Sequence, residues 1–300
     1  EQDSVLKLLL SDPTAKPEWN NNASMAIAAK SGNYKVVELL LADPRPSPTD
    51  ECLRNAVKNG HERIVDLFLK DGRVSPDALE SESLRLACKN GYVGIVKLLL
   101  EDGRVDPCVK DNEPLRVAIN NQYVDIVACL LANDQIDPTF SNNEPLRFAC
   151  ERGNANIVKE ILKYPDVNPT DCESEALIDA SWLGHKDVVE VLLEDERTLA
   201  NPTEVQEAMF WSFIRGHAPI IKLFLQKDSI RSMVLDTVLL DAMDQLPVTA
   251  SDRLFKQERI HRRWRSHYED SDDSDDDKLE LTKVAQSINL HSSKLSRQAA

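Results

Sequence analysis

The chain has 300 residues, with 36 Lys and Arg against 51 Asp and Glu, and a formal net charge of −15. That acidity, carried by the residues before the C-terminal tail, argues against sequence-independent binding of nucleic acid by them, because phosphate affinity rests on neutralisation by Lys and Arg. No stretch reaches the roughly 18 apolar residues that a membrane-spanning helix needs, and no secretory leader is expected.

The first predicted element is Ser4-Val-Leu-Lys-Leu-Leu-Leu10, which reads as the second helix of a helix pair without its partner. An incomplete N-terminus and a degenerate cap both account for it, and residues 1–18 are assigned to this partial unit. From residue 19 to 228 the chain repeats itself. Leu84-Arg-Leu-Ala-Cys-Lys-Asn-Gly91 recurs as Leu115-Arg-Val-Ala-Ile-Asn-Asn-Gln122 and as Leu146-Arg-Phe-Ala-Cys-Glu-Arg-Gly153, each step being 31 residues. A constant period of this size means stacked copies of one supersecondary unit.

Each unit holds two short helical segments. Leu84 and Ala87 lie three apart, and Ile95, Val96, Leu98, Leu99 and Leu100 recur at helical spacing. Segments of about eight to ten residues are not stable alone in water, so they must bury their apolar faces on neighbouring copies. The turn between them carries Gly32, Gly60, Gly91, Gly153, Gly184 and Gly216, with Gln122 in the same slot once. Glycine there fits a helix–helix turn with positive φ. The step from Gly32 to Gly60 is 28 residues, and the three missing ones are placed in the loop around Pro48–Cys52, since loops absorb deletions that packed helices do not.

Glu113-Pro-Leu-Arg-Val-Ala118 and Glu144-Pro-Leu-Arg-Phe-Ala149, followed by outer helices such as Ile95-Val-Lys-Leu-Leu-Leu100, resemble the ankyrin repeat, whose inner helix opens on Thr-Pro-Leu-His-x-Ala. The resemblance spans about residues 5–245 and about seven repeats. The departures are systematic: Glu stands for Thr, and Arg54, Arg85, Arg116 and Arg147 occupy the slot of the His that in the family helps tie an inner helix to the adjacent loop, which the five donors of Arg can do equally well. An all-α solenoid of stacked helix–turn–helix repeats is therefore expected, with hairpin or loop connections and a partly disordered C-terminal tail.

The resemblance implies a non-enzymatic scaffold or adaptor that binds a protein partner through its concave face. It implies a rim at the two positions before each turn residue, which places Lys30, Lys58, Lys89, Asn120, Arg152, Trp182, Leu183, Ile214 and Arg215 as candidate partner-binding residues. The rim passes from lysines through amides to large apolar groups. Trp182 is expected to be exposed, the residue type most often found as a binding anchor; the alternative is that the C-terminal tail covers it. The rim lysines would favour an acidic peptide. His61, His185 and His217 each follow a turn glycine and are read as structural.

The six cysteines fall about one per repeat without paired spacing, so buried free thiols in a reducing compartment are expected, with no metal site, no cofactor and no catalytic residues. The chain is expected to be a cytoplasmic monomer, with the nucleus as the alternative compartment.

Residues 229–247 read as an amphipathic capping helix, which an open-ended stack needs. The tail, 248–300, segregates its charge. Residues 246–300 hold ten basic and ten acidic residues, so the repeats carry the whole imbalance. Arg253, Lys256, Arg259, Arg262, Arg263 and Arg265 lie within a basic segment, 253–267, interleaved with Phe255, Ile260 and Trp264. That segment is the alternative functional site, for nucleic acid or a calmodulin-type partner; docking on the array's own acidic surface is equally open. Glu269–Asp277 has seven acids and no base and is expected to be disordered. Within it Ser271 and Ser274 are candidate phosphoacceptors, Ser274 resembling a casein kinase 2 site.

Overall fold

The computed structural model describes residues 2–227 and 230, and every described element is helical. The expected capping helix, the basic segment and both candidate phosphoserines lie outside the described residues. Helix α1 is Gln2–Ser11. Seven pairs follow it in sequence: α2 (Trp19–Ser31) and α3 (Tyr34–Ala42), α4 (Asp50–Lys58) and α5 (Glu62–Asp71), α6 (Ala78–Asn90) and α7 (Val93–Asp102), α8 (Val109–Asn120) and α9 (Val124–Leu131), α10 (Phe140–Glu151) and α11 (Ala155–Leu162), α12 (Asp171–Leu183) and α13 (Lys186–Glu194), and α14 (Pro202–Ile214) and α15 (Ala218–Gln226).

Two compact units form, one of residues 1–152 and 159–167, the other of 153–158 and 168 onward. In the first, α2, α4, α6, α8 and α10 stack as an inner row and α1, α3, α5, α7 and α9 as an outer row. In the second, α12 packs on α14 and α13 on α15, with a short 3-10 turn, Thr198–Ala200, against α13 and α14.

The stacking follows from two slots of the inner helix. Leu53, Leu84, Leu115 and Leu146, with Met25, Leu177 and Met209 in the same slot, are all at most 3% exposed. Each such side chain contributes about 1.5–3 kcal/mol when taken out of water. Three residues on, Ala28, Ala56, Ala87, Ala118, Ala149 and Ala180 are buried too, and their small size lets inner helices approach closely. Five of these alanines accept the closing bond of the turn. Asn33, His61, Tyr92, Tyr123 and His185 donate their backbone N–H to Ala28, Ala56, Ala87, Ala118 and Ala180 at 2.9–3.0 Å. That six-residue closure needs a left-handed residue at the turn. Gly91 supplies it at φ 77°, and Gln122 adopts it at φ 59°.

The units of 31-residue step contain a feature absent from the sequence reading. Helices α6, α8 and α10 each begin with three consecutive left-handed residues: Leu79–Ser81, Lys110–Asn112 and Ser141–Asn143, at φ 49–64°. Asn20 and Asn22 adopt the same conformation at the start of α2. Pro114 and Pro145 follow after one residue, Glu113 and Glu144, in the first turn of the right-handed helix, where their missing N–H costs no bond. Helix α4 has no such turn; its N-cap Thr49 is extended. The three-residue deletion therefore falls between Thr49 and Asp50, within the Pro48–Cys52 stretch expected for it, and removed the left-handed turn. Asp50 Oδ1 accepts the N–H of Ser75 at 2.8 Å, and Ser81 Oγ, the corresponding residue one unit on, accepts that of Asp106 at 2.9 Å. The cap on the next loop survives the deletion.

Candidate partner-binding surface

Three ladders of contacts bind successive copies in the first unit, and they define which face is left open. The first explains the systematic Glu and Arg. Arg54 pairs with Glu82 at 3.1 Å, Arg85 with Glu113 at 2.6 Å, and Arg116 with Glu144 at 2.7 Å, each reaching from one inner helix to the next. Within a helix the same Glu and Arg lie three residues apart, so the charges zigzag along the row and cancel.

The second ladder holds the ends of the outer helices. Arg45, Arg73 and Arg104 each clasp the aspartate two residues before, Asp43, Asp71 and Asp102, at 2.5–2.7 Å. Their remaining donors reach back one copy to carbonyl groups: Arg45 to Leu10, Asp12 and Ala15, Arg73 to Leu41 and Pro46, Arg104 to Leu69 and Val74. These include helix-terminal carbonyls that have no partner within their own helix. The guanidinium of Arg45 holds the Asp43 carboxyl down to about 2. The sequence signal was a recurring Asp-x-Arg, which periodicity of apolar residues does not detect.

The third ladder is steric. The ring of Tyr123 lies where a Cβ on Gly91 would be, 2.9 Å from it, and Tyr92 stands likewise over Gly60. His61 covers Gly32 and donates from Nε2 to the Lys30 carbonyl at 3.0 Å. In the second unit His185 covers Gly153 and His217 covers Gly184. The histidines are thus structural parts of the turn stack.

What remains open in the first unit is the far end of each inner helix. Lys30, Lys58, Lys89 and Asn120 are exposed there, and the three ammonium groups have no carboxylate partner among the described residues. Three residues earlier on the same helix face lie Ile27, Asn55, Leu86, Val117 and Phe148. Ile27 is 66% exposed and the other four are half-buried. A row of cations thus runs beside a row of mostly apolar side chains. The row changes character at Glu151, whose carboxyl is half-buried and pushed up by desolvation against the pull of Arg152 and Arg147. Arg152 is half-buried, its guanidinium 5.2 Å from the centre of the Phe148 ring.

In the second unit Trp182 is half-buried rather than exposed, which corrects the sequence expectation. The edge of Trp211 meets it, with ring centres 4.8 Å apart at 73°, and Arg215 stacks over the Trp182 ring at 4.8 Å. Aromatic pairs prefer this edge-to-face arrangement, and the cation is drawn to the electron-rich ring face. Trp211 itself is 2% exposed and touches Phe210. Leu183 is half-buried and Arg215 exposed; Ile214 ends α14, and its side chain is outside the described ones.

Among the described residues no cluster of His, Cys, Asp and Glu is arranged to hold a metal ion, and no helix is long and apolar enough to cross a membrane. Cys52, Cys88, Cys108, Cys129 and Cys150 are free thiols. Burial pushes Cys88 up to about 12, far from the range of a reactive thiolate.

No curated protein matches this sequence. Among solved structures, the human ASB11 ankyrin repeat domain is similar at 20% identity, covering 59% of this chain and 84% of that one, with a TM-score of 0.48. The ankyrin repeat domain of Bcl-3, described as a unique member of the IkappaB protein family, is similar at 24% identity over 60% of this chain and 87% of that one, with a TM-score of 0.49. The family description "Ankyrin repeats (3 copies)" matches residues 53–142 and 115–203. Ankyrin repeats are protein–protein interaction modules, and with half its length matched and its helices stacked in two rows, this chain belongs to the ankyrin repeat family.

Proposed function

We propose that the chain is a non-enzymatic adaptor or scaffold that captures a protein partner on the open side of its inner helices. The observation carrying this reading is the pair of parallel rows in the first unit, Lys30, Lys58 and Lys89 beside Ile27, Leu86, Val117 and Phe148. Successive copies present the same slots to solvent, so the surface suits a segment running along the stack better than a small molecule in a pocket. The interlocking ladders beneath it fix the spacing, and a preformed surface loses little conformational entropy on binding. The second unit, by itself, presents the Trp182–Arg215 stack, in which Arg215 is exposed.

The test is affinity capture with the full chain, an Ile27→Asp variant and a variant with Lys58 and Lys89 both changed to Glu. All three sites are exposed, so fold is retained and can be checked by circular dichroism. Protein partners enriched by the parent and lost from both variants support the reading. Partners retained equally by both would remove the inner row from consideration.

A further inference from the structure

Resting on that reading, we infer that the occupant of the inner row is an acidic, extended segment of another protein, with a carboxylate at every third residue and apolar side chains between. Charge, geometry and the apolar row all point to it.

The chain as a whole repels anions, with a net charge of −15. Locally the balance is different. Glu82, Glu113 and Glu144 are each paired with an Arg, so the neighbouring ladder is neutral, while Lys30, Lys58 and Lys89 stand unpaired at its side. The turn positions beside them, Asn59 and Asn90, are uncharged. At physiological salt the Debye length is about 8 Å, so a bound carboxylate feels the adjacent ammonium and little of the distant acids.

Spacing then selects the conformation. Packed helices lie about 8–10 Å apart, so one lysine is offered for each such step along the inner row. An extended chain in the polyproline II conformation advances about 3.1 Å per residue with three residues per turn, so three residues cover one step and every third side chain returns to the same face. Carboxylates at i, i+3 and i+6 therefore meet Lys30, Lys58 and Lys89 in register. Side chains between them reach Ile27 and Leu86, three residues from the lysines on the same helices. The apolar row gives an added reason to look beyond this chain's own acidic run, because Glu269–Asp277 contains no apolar residue.

The experiment uses the full chain and a fluorescein-labelled 12-residue peptide with Asp at every third position and Leu among the intervening residues, read by anisotropy. Controls are the same peptide with Lys for Asp and an isomer with its acids adjacent. The Asp peptide is expected to bind, and Lys30→Glu, Lys58→Glu and Lys89→Glu together to weaken it at least tenfold. The Lys peptide is expected not to bind, and the isomer to bind several-fold more weakly. Unchanged affinity in the triple variant, or equal binding of the Lys peptide, overturns the inference. If charge reversal has no effect but Ile27→Asp abolishes binding, the acidic occupant falls while the adaptor reading stands. If neither change matters to any peptide or captured partner, both fall. Tenfold tighter binding by a chain ending at Pro247 also overturns it, since the lysines would then serve the chain's own acidic run.

Discussion

Gly91 and Gly103 have nearly the same backbone, φ 77° and 75°, yet different surroundings, and the pair separates two reasons for glycine. Alanine at either site sits in the left-handed region at a cost of about 1–2 kcal/mol, partly offset by the lower entropy of its unfolded chain. At Gly103 nothing lies within 4 Å of the new methyl, so Gly103→Ala should cost about 1 kcal/mol or less. At Gly91 the methyl would be 2.9 Å from Cζ of Tyr123 and 3.1 Å from Cε1. The ring must move away from the turn it covers, and overpacking of this kind adds about 1–3 kcal/mol. Urea unfolding followed by circular dichroism should place the Gly91→Ala midpoint well below that of Gly103→Ala at equal m-value. A double-mutant cycle with Tyr123→Ala should recover the steric part alone. Equal destabilisation of the two variants, or no coupling to Tyr123, would refute the claim that stacked rings select glycine at the turns.

Four further outcomes are expected. Arg104→Lys keeps the charge but loses the fork that spans Asp102 and the carbonyls of Leu69 and Val74; it should cost about 1–2 kcal/mol and speed amide exchange at the end of α5. In a double-mutant cycle, Arg116 and Glu144 should couple by no more than about 1 kcal/mol, less at high salt, because both are partly exposed. Exchanging the two residues should restore most of that coupling. Gln122→Gly relieves a left-handed glutamine at φ 59° and should raise the melting temperature by a few degrees, on the order of 0.5–1 kcal/mol; a lower value would contradict it. Asp43 has its folded pKa lowered from 3.8 to about 2, so its contribution to stability is complete above about pH 4 and is lost as the pH falls toward 2. Carboxyl NMR should show that low midpoint, and Asp43→Asn should flatten the acid limb of the stability profile.

The slots at Leu84, Leu115 and Leu146 show how far one-dimensional pattern carries. Their period and the glycines between helices are local properties, since a short amphipathic helix must bury its face and a helix must end in a left-handed residue. Two-row stacking and the family could therefore be read directly from the residues, as could the exposed rim at Lys30, Lys58 and Lys89. The partnerships of polar side chains could not. Arg85 and Glu113 are 28 residues apart, Tyr123 and Gly91 are 32, and Arg104 and Leu69 are 35; each pair meets only because neighbouring copies pack at a fixed offset. Trp182 illustrates the same limit. A large ring near a turn reads as exposed in sequence, whereas the fold brings Trp211 and Arg215 against it. The left-handed turns at Leu79, Lys110 and Ser141 are likewise invisible to hydrophobic periodicity, because their conformation is imposed by the loop that must reach the next inner helix. Composition and period determine what each copy must hide, and tertiary packing determines which polar groups face one another and which are left for a partner.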